Sequence, residues 1–320
     1  MKTIFNKIRK IEFLPLLLAY ALIVIFFSIA SPYFLTVKNF MTIVLFASIV
    51  GILSLTTCLI LAAGQIDFAA GSVIALGSCV MGIMYTKGYS LYAAMAVCLL
   101  MSTLTGVASG LLVAYLGMNT FIATLAGMQI YRGVAYLITN ARSVTIDDPI
   151  LDFIGRNRAF GVIPNAAILL IILLLFFLWL SRYTKFGRRI FVIGGNAQVA
   201  YLCGINVKRD ILILYAIHGC ISGVAGIVYT AQLGAALPTA AQNTNFTAIS
   251  ACVLGGVSLT GGKGSLVGAV IGAILLETLN NGMNMVGISS FWQDVITGLV
   301  LVFAVTLDII KVKRAAKARI

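Results

Sequence analysis

Charge is scarce in this chain. Only 10% of its 320 residues are charged, against 61% hydrophobic. A soluble protein of this length needs far more charge to cover its surface, so a soluble globular fold is excluded. There is one histidine, and no two of the six cysteines have CxxC spacing. A metal centre therefore lacks ligands at workable intervals. Cys58, Cys79, Cys98, Cys220 and Cys252 sit inside apolar runs, where cysteine acts as a small hydrophobe, and disulfides are not expected. Strict polar–apolar alternation is missing too. Lipid admits only helices or closed barrels, so the spans are helical. The first apolar run is too long for a cleavable leader and no small-residue cleavage site follows it, so it reads as the first span.

What is present is a series of long apolar runs. Phe13–Ala30 and Ile163–Leu180 are long enough for a hydrocarbon core about 30 Å thick, which takes roughly 20 helical residues. The pattern predicts spans at 13–31, 41–62, 69–86, 90–114, 119–138, 163–181, 211–230, 245–260, 265–283 and 290–310. The expected fold is all-α: a polytopic membrane bundle of about ten helices, forming one domain over 1–320 with a polar loop at 182–210. The eighth segment is short and rich in Thr, Ser and Gly, and such interrupted spans often line a pathway.

The net charge of +13 falls in three clusters. Lys2, Lys7, Arg9 and Lys10 precede the first span. Arg182, Lys185, Arg188, Arg189, Lys208 and Arg209 share the 182–210 loop, and Lys311, Lys313, Arg314, Lys317 and Arg319 form the tail. With the first cluster inside, six crossings and then four bring all three to the cytoplasmic side. Anionic lipid is a sufficient partner for them, and no nucleic-acid partner is implied. The longest outer loop, 140–162, mixes Asp147, Asp148 and Asp152 with Arg142, Arg156 and Arg158, a pattern suited equally to a docking partner or to plain solvation.

Within the inner loop, Asn196 reads as an N-cap and Gly204 as a left-handed stop. Ala197–Cys203 between them makes about two helical turns, far too short to span. Val199, Ala200, Tyr201, Leu202 and Cys203 make it too apolar for an idle loop. Docking into a partner's groove and resting on the membrane are the two readings these residues leave open.

Several ordered segments resemble the permeases of ribose-, galactose- and xylose-type bacterial ABC importers. They are Gly64-Gln-Ile-Asp-Phe-Ala-Ala-Gly-Ser72, Phe121-Ile-Ala-Thr-Leu125 with Arg132-Gly133, the stretch Gly187–Val207, Val253–Gly264, and Leu279-Asn-Asn-Gly-Met-Asn284. The chain departs from that pattern at Gln65, at Phe68-Ala69-Ala70, and at Thr244-Asn245-Phe246-Thr247, where two acids usual in ribose-type members are gone. The resemblance implies a non-catalytic sugar-conducting subunit of the bacterial inner membrane. It also implies coupling to an ATPase through Gly187, Arg188, Gly194, Gly195, Asn196, Ala197, Ala200, Gly204 and Ile205. ATP and magnesium would sit on that ATPase, and this chain would bind no cofactor itself. A periplasmic sugar-binding protein and a second copy or paralogue complete the implied assembly. Consistent with this, the apparent phosphate loop at 256–264 fails as a Walker motif: Val257 replaces its first glycine and Gly264 its hydroxyl residue.

Ionisable residues inside apolar runs carry an insertion cost of roughly 2.5–3.5 kcal/mol at mid-helix, so each needs a reason. Arg132 and Glu277 are the leading pathway or gate candidates, with Gln129, Asn280, Asn281 and Asn284 at helical spacings nearby. Gln65, Asp67 and Asn245 join them, although Asp67 and Asp308 fall at predicted span edges where capping explains them equally well. An ion-coupled secondary sugar transporter using Glu277, Asp294 and Arg132 is the competing reading. It leaves the capped helix after Asn196 without a role. No nucleophile–base pair stands at either face, which argues against an enzyme.

Overall fold

The structure, a computed structural model, describes residues 14–317. The N-terminal basic cluster, and the side chains of Asp308 and of the basic tail, lie outside the described residues. Ten helices follow the apolar runs: α1 (Leu14–Ala30), α2 (Val37–Ala62), α3 (Ala70–Thr86), α4 (Leu91–Ala114), α5 (Thr120–Thr139), then α7 (Asn165–Tyr183), α10 (Val207–Leu233), α11 (Thr244–Leu254), α12 (Leu266–Met285) and α13 (Ser290–Lys317). Three short helices stand between them: α6 (Pro149–Gly155), α8 (Lys185–Gly195) and α9 (Ala197–Leu202). Six helices, α2, α4, α5, α7, α10 and α12, are long and apolar enough to cross a membrane. The fold is thus an all-α polytopic membrane bundle.

α2 and α10 form its centre. Ile52, Leu53, Leu55, Leu59, Ile60 and Leu61 of α2 are fully enclosed, and they share a core with Leu214 and Tyr215 of α10 and Phe177 of α7. The α4–α10 seam is the most extensive helix–helix contact among the described residues, and small residues line it. A Cβ on Gly106 would strike the Tyr215 carbonyl, and one on Gly219 the Ser102 carbonyl. Ser102, Gly106 and Gly110 face Tyr215, Gly219 and Gly223 at four-residue intervals, the small-xxx-small arrangement that draws membrane helices together. Gly219→Leu is therefore expected to cost about 3 kcal/mol through overpacking. Thermal unfolding in detergent checks this, with Gly133→Leu as control, since nothing stands within 4 Å of a Cβ there.

The expected eighth span needs correction. Its helix, α11, stops at Leu254 after 11 residues, about 16 Å of rise, half a membrane. Gly256, Gly261 and Gly262 take positive φ in the irregular segment that follows. α11 packs on α2, α12 and α13. The 140–162 loop is also more ordered than its composition suggests. Asp148 caps α6 by accepting from the Ile150 amide at 2.9 Å, Asp152 pairs with Arg156 at 3.0 Å, and β1 (Val144–Thr145) pairs antiparallel with β4 (Ala235–Ala236). A second small hairpin joins β2 (Arg158–Ala159) to β3 (Ile163–Pro164). Two of the three acids are thereby used within the loop itself.

Candidate coupling and translocation sites

The 182–210 loop folds into two helices rather than one. Thr184 turns the corner out of α7: its hydroxyl donates to the Leu180 carbonyl at 2.6 Å and accepts from the Gly187 amide at 3.0 Å. α8 then buries Gly187, Ile190 and Ile193, three residues apart, against the core. Its last turn meets the end of α2 so closely that a Cβ on Gly194 would overlap the Ala62 carbonyl. That same carbonyl accepts from the Gly262 amide at 2.8 Å. α8, α2 and the glycine-rich segment after α11 are therefore locked into one junction.

Asn196 caps α9 by accepting from the Gln198 and Val199 amides, both at 3.0 Å. Gly204 ends the turn at φ +79°, the left-handed region. α9 has two faces. Ala200 is fully buried in the core that holds Ile190 and Ile193. This corrects its expected place on a docking surface: Ala200 fastens α9 down. Val199, Tyr201 and Leu202 point outward, the last two 70% and 77% exposed. Arg188, Gly195 and Ala197 are exposed beside them, Ile205 half-buried. An ion pair ties the unit to α10, with Arg189 Nη1 3.8 Å from the buried Asp210 carboxylate. A cavity of about 810 Å³ opens beneath α9, lined by Gln65, Tyr201, Ile205 and Lys208 among others. Gln65 thus lines the cavity beside α9.

Deeper in the bundle, the 63–69 linker joins α2 to α3 without helical structure and gathers polar groups. Asp67 accepts from the amide of Ala69, the residue that precedes α3, at 2.6 Å. Its other oxygen lies 3.9 Å from Nε2 of His218, whose Nδ1 contacts the Thr56 hydroxyl at 2.8 Å. α2, α10 and the linker thus meet in one buried polar cluster. Tyr215 adds a second tie: its hydroxyl donates to the Ile66 carbonyl at 3.2 Å, and Thr120 at the start of α5 donates to the same carbonyl at 2.8 Å.

Asn245, in the first turn of α11, donates from Nδ2 to the Phe68 carbonyl at 3.0 Å. The rings of Phe121 and Phe246 stand 5.3 and 5.5 Å from that of Phe68. Arg132 reaches across from α5 and donates through Nη1 to the carbonyls of Pro238 and Ala240, at 2.7 and 2.6 Å. It pins the turn segment that leads into α11.

Arg132 and Glu277 are not brought together. α5 packs on α3 and α4, whereas α12 packs mainly on α2 and α11. Glu277 engages Asn280 on its own helix. Asn281 keeps a buried Oδ1 without a partner, and Asn284 accepts from Gln293 at 2.8 Å, closing the turn into α13. Gln129 lies exposed on α5. Sequence reading missed the Asp67–His218 contact, because 151 residues separate the two and no local period links them. The only signal was that both are ionisable and stand in or beside apolar runs.

The bundle of apolar helices thus carries the α8–α9 pair mounted at one end of it. Residues 39–305 match the family described as the branched-chain amino acid transport system permease component, and the chain belongs to that family. It is a non-catalytic permease component of the ABC type. The probable ABC transporter permease protein YphD of Escherichia coli (strain K12) is 35% identical over 97% of this chain and 93% of its own. The ribose import permease protein RbsC of Bacillus subtilis (strain 168) is 36% identical over 90% and 89%. The xylose transport system permease protein XylH of Haemophilus influenzae (strain ATCC 51907 / DSM 11121 / KW20 / Rd) is 31% identical over 92% and 95%. No solved structure matches.

Proposed function

We propose that this chain is the ten-span, inner-membrane permease of an importer that carries a monosaccharide, or a similar small polar solute, into the cytoplasm. Both termini are cytoplasmic. A second copy or a paralogue completes the channel, a separate ATPase pair docks inside, and a sugar-binding protein delivers from the periplasm. The ribose and xylose permeases among its relatives support the substrate class. The observation that carries the coupling assignment is α9: capped at both ends and anchored through Ala200, it still presents Val199, Tyr201 and Leu202 to the outside. An exposed apolar patch on a rigid mount suits a partner's groove. Closure of the ATPase would then move α8 and α9 as a body against α2, α10 and the glycine-rich segment after α11.

Transport into sealed, de-energised vesicles containing the complex tests this reading. Uptake is expected to require ATP and to ignore imposed proton or sodium gradients. Gradient-driven uptake without ATP contradicts it. Topology provides a separate check: reporter fusions after Gly187 should read cytoplasmic and fusions after Asn284 periplasmic.

A further inference from the structure

α11 and α13 lie side by side, and the contact between them is polar at its top. Asn243, just before α11, donates from Nδ2 to Asp294 of α13 at 3.1 Å. Below that bond lies a cavity of about 260 Å³ lined by Asn243, Phe246 and Ser250 on one side and Asp294, Thr297 and Gly298 on the other. The residues recur at three- and four-residue steps, so each helix commits one face to the cavity.

Packing does not require these residues. Two membrane helices in contact normally fill the space between them, and a void loses dispersion contacts. Here Gly298 holds the space open. No atom stands within 4 Å of a Cβ built there, and its φ lies outside the left-handed region. A larger residue would fit without strain, and glycine inside a helix is less favourable than alanine. Asp294 adds a second mark. It is exposed among Phe291, Trp292, Val295 and Leu299, also exposed, where a carboxylate facing lipid is unfavourable. Its second oxygen and the Thr297 hydroxyl make no hydrogen bond among the described residues, whereas Ser250 is fully buried and its hydroxyl donates to the Phe246 carbonyl at 2.8 Å.

The geometry points to a subsite for one monosaccharide between α11 and α13. The Asp294 carboxylate, the Asn243 amide and the Thr297 hydroxyl supply donors and acceptors for adjacent sugar hydroxyls, and the Phe246 ring offers a face for the apolar C–H side of the sugar. The volume is just below the range of about 300–1,000 Å³ that drug-sized ligands occupy, which suits a single sugar ring. The hydrogen-bonding groups come from few residues, in keeping with a conduit that must release what it binds. Phe246 also packs on Phe68, and Asn245 bonds the Phe68 carbonyl. Occupancy is therefore sensed one ring away from the linker that carries Asp67. This inference rests on the sugar-import reading above.

The test uses the complete transporter in proteoliposomes with a panel of radiolabelled aldopentoses and aldohexoses. Gly298→Leu fills the cavity and is expected to lower uptake at least tenfold. Thermal unfolding and co-purification with the ATPase should stay at wild-type values. Asp294→Asn and Thr297→Val are expected to raise KM for the preferred sugar or change which sugar is preferred, with maximal rate less affected. Wild-type KM and rate in both Gly298→Leu and Asp294→Asn would overturn the subsite while leaving sugar import standing. ATP-driven uptake of no sugar by the wild type would overturn the import reading itself, and the subsite with it.

Discussion

Permease carrying Tyr201→Glu and Leu202→Glu is expected to insert and unfold like wild type but to lose its ATPase on purification. Both side chains project from α9 at 70% and 77% exposure. Surface substitutions of that kind change stability by only about 0.5 kcal/mol or less. In a docked complex the same positions lie in a partner's groove, and an unpaired carboxylate desolvated there costs several kcal/mol. A loss of about 3 kcal/mol already weakens association more than a hundredfold. Ala200→Glu must behave differently. Ala200 is fully enclosed with Ile190 and Ile193, so a carboxylate there breaks the seating of α9 and lowers the unfolding temperature of the permease alone. Co-purification and thermal unfolding, measured together on the two variants, separate a docking face from an anchoring face.

The second large effect is expected at Arg132. One nitrogen of its guanidinium serves two backbone carbonyls, Pro238 and Ala240, in the turn segment before α11. Hydrogen bonds from a charged donor are worth about 1.5–3 kcal/mol each, and carbonyls left without a partner cost more still. Arg132→Met keeps the length of the side chain and removes both bonds. It should destabilise the permease by about 3 kcal/mol and release the segment that positions Asn245 and Phe246, so that uptake falls with stability. Arg132→Lys, which keeps the charge but offers a flexible ammonium, should restore part of the stability. Unchanged thermal unfolding in Arg132→Met would mean that the segment is held by its other contacts.

The bundle itself was legible because hydropathy alone decides which segments enter lipid: each of the ten predicted spans contains a helix, although the eighth ends six residues short. Capping was legible too: Asn196 and Gly204 perform the roles their types suggest. α8 went unread because three basic residues and three glycines made 185–195 look like a solvated loop, although Ile190 and Ile193 mark a clear apolar face at helical spacing. The length of α11 was overestimated because Val257 and Leu259 continue the apolar run after the glycines have ended the helix. At the site, the residues were nameable but their partners were not. Arg132 bonds to main-chain carbonyls, which no side-chain pattern announces, and Asp67 meets His218 only through the packing of α10 on α2. The inward turn of Ala200 was hidden for a related reason: on a two-turn helix, period alone does not say which face the core claims.

The central claim is that α9 is the surface through which nucleotide-driven closure reaches the membrane bundle. A photo-crosslinking amino acid at position 202 tests it most directly, with position 175 on the exposed side of α7 as reference. Illumination of the assembled complex is predicted to join position 202 covalently to the ATPase, at a yield that changes when ATP is added, while position 175 yields lipid adducts only. Lipid adducts alone at position 202, or ATPase adducts no more frequent there than at 175, would contradict the account.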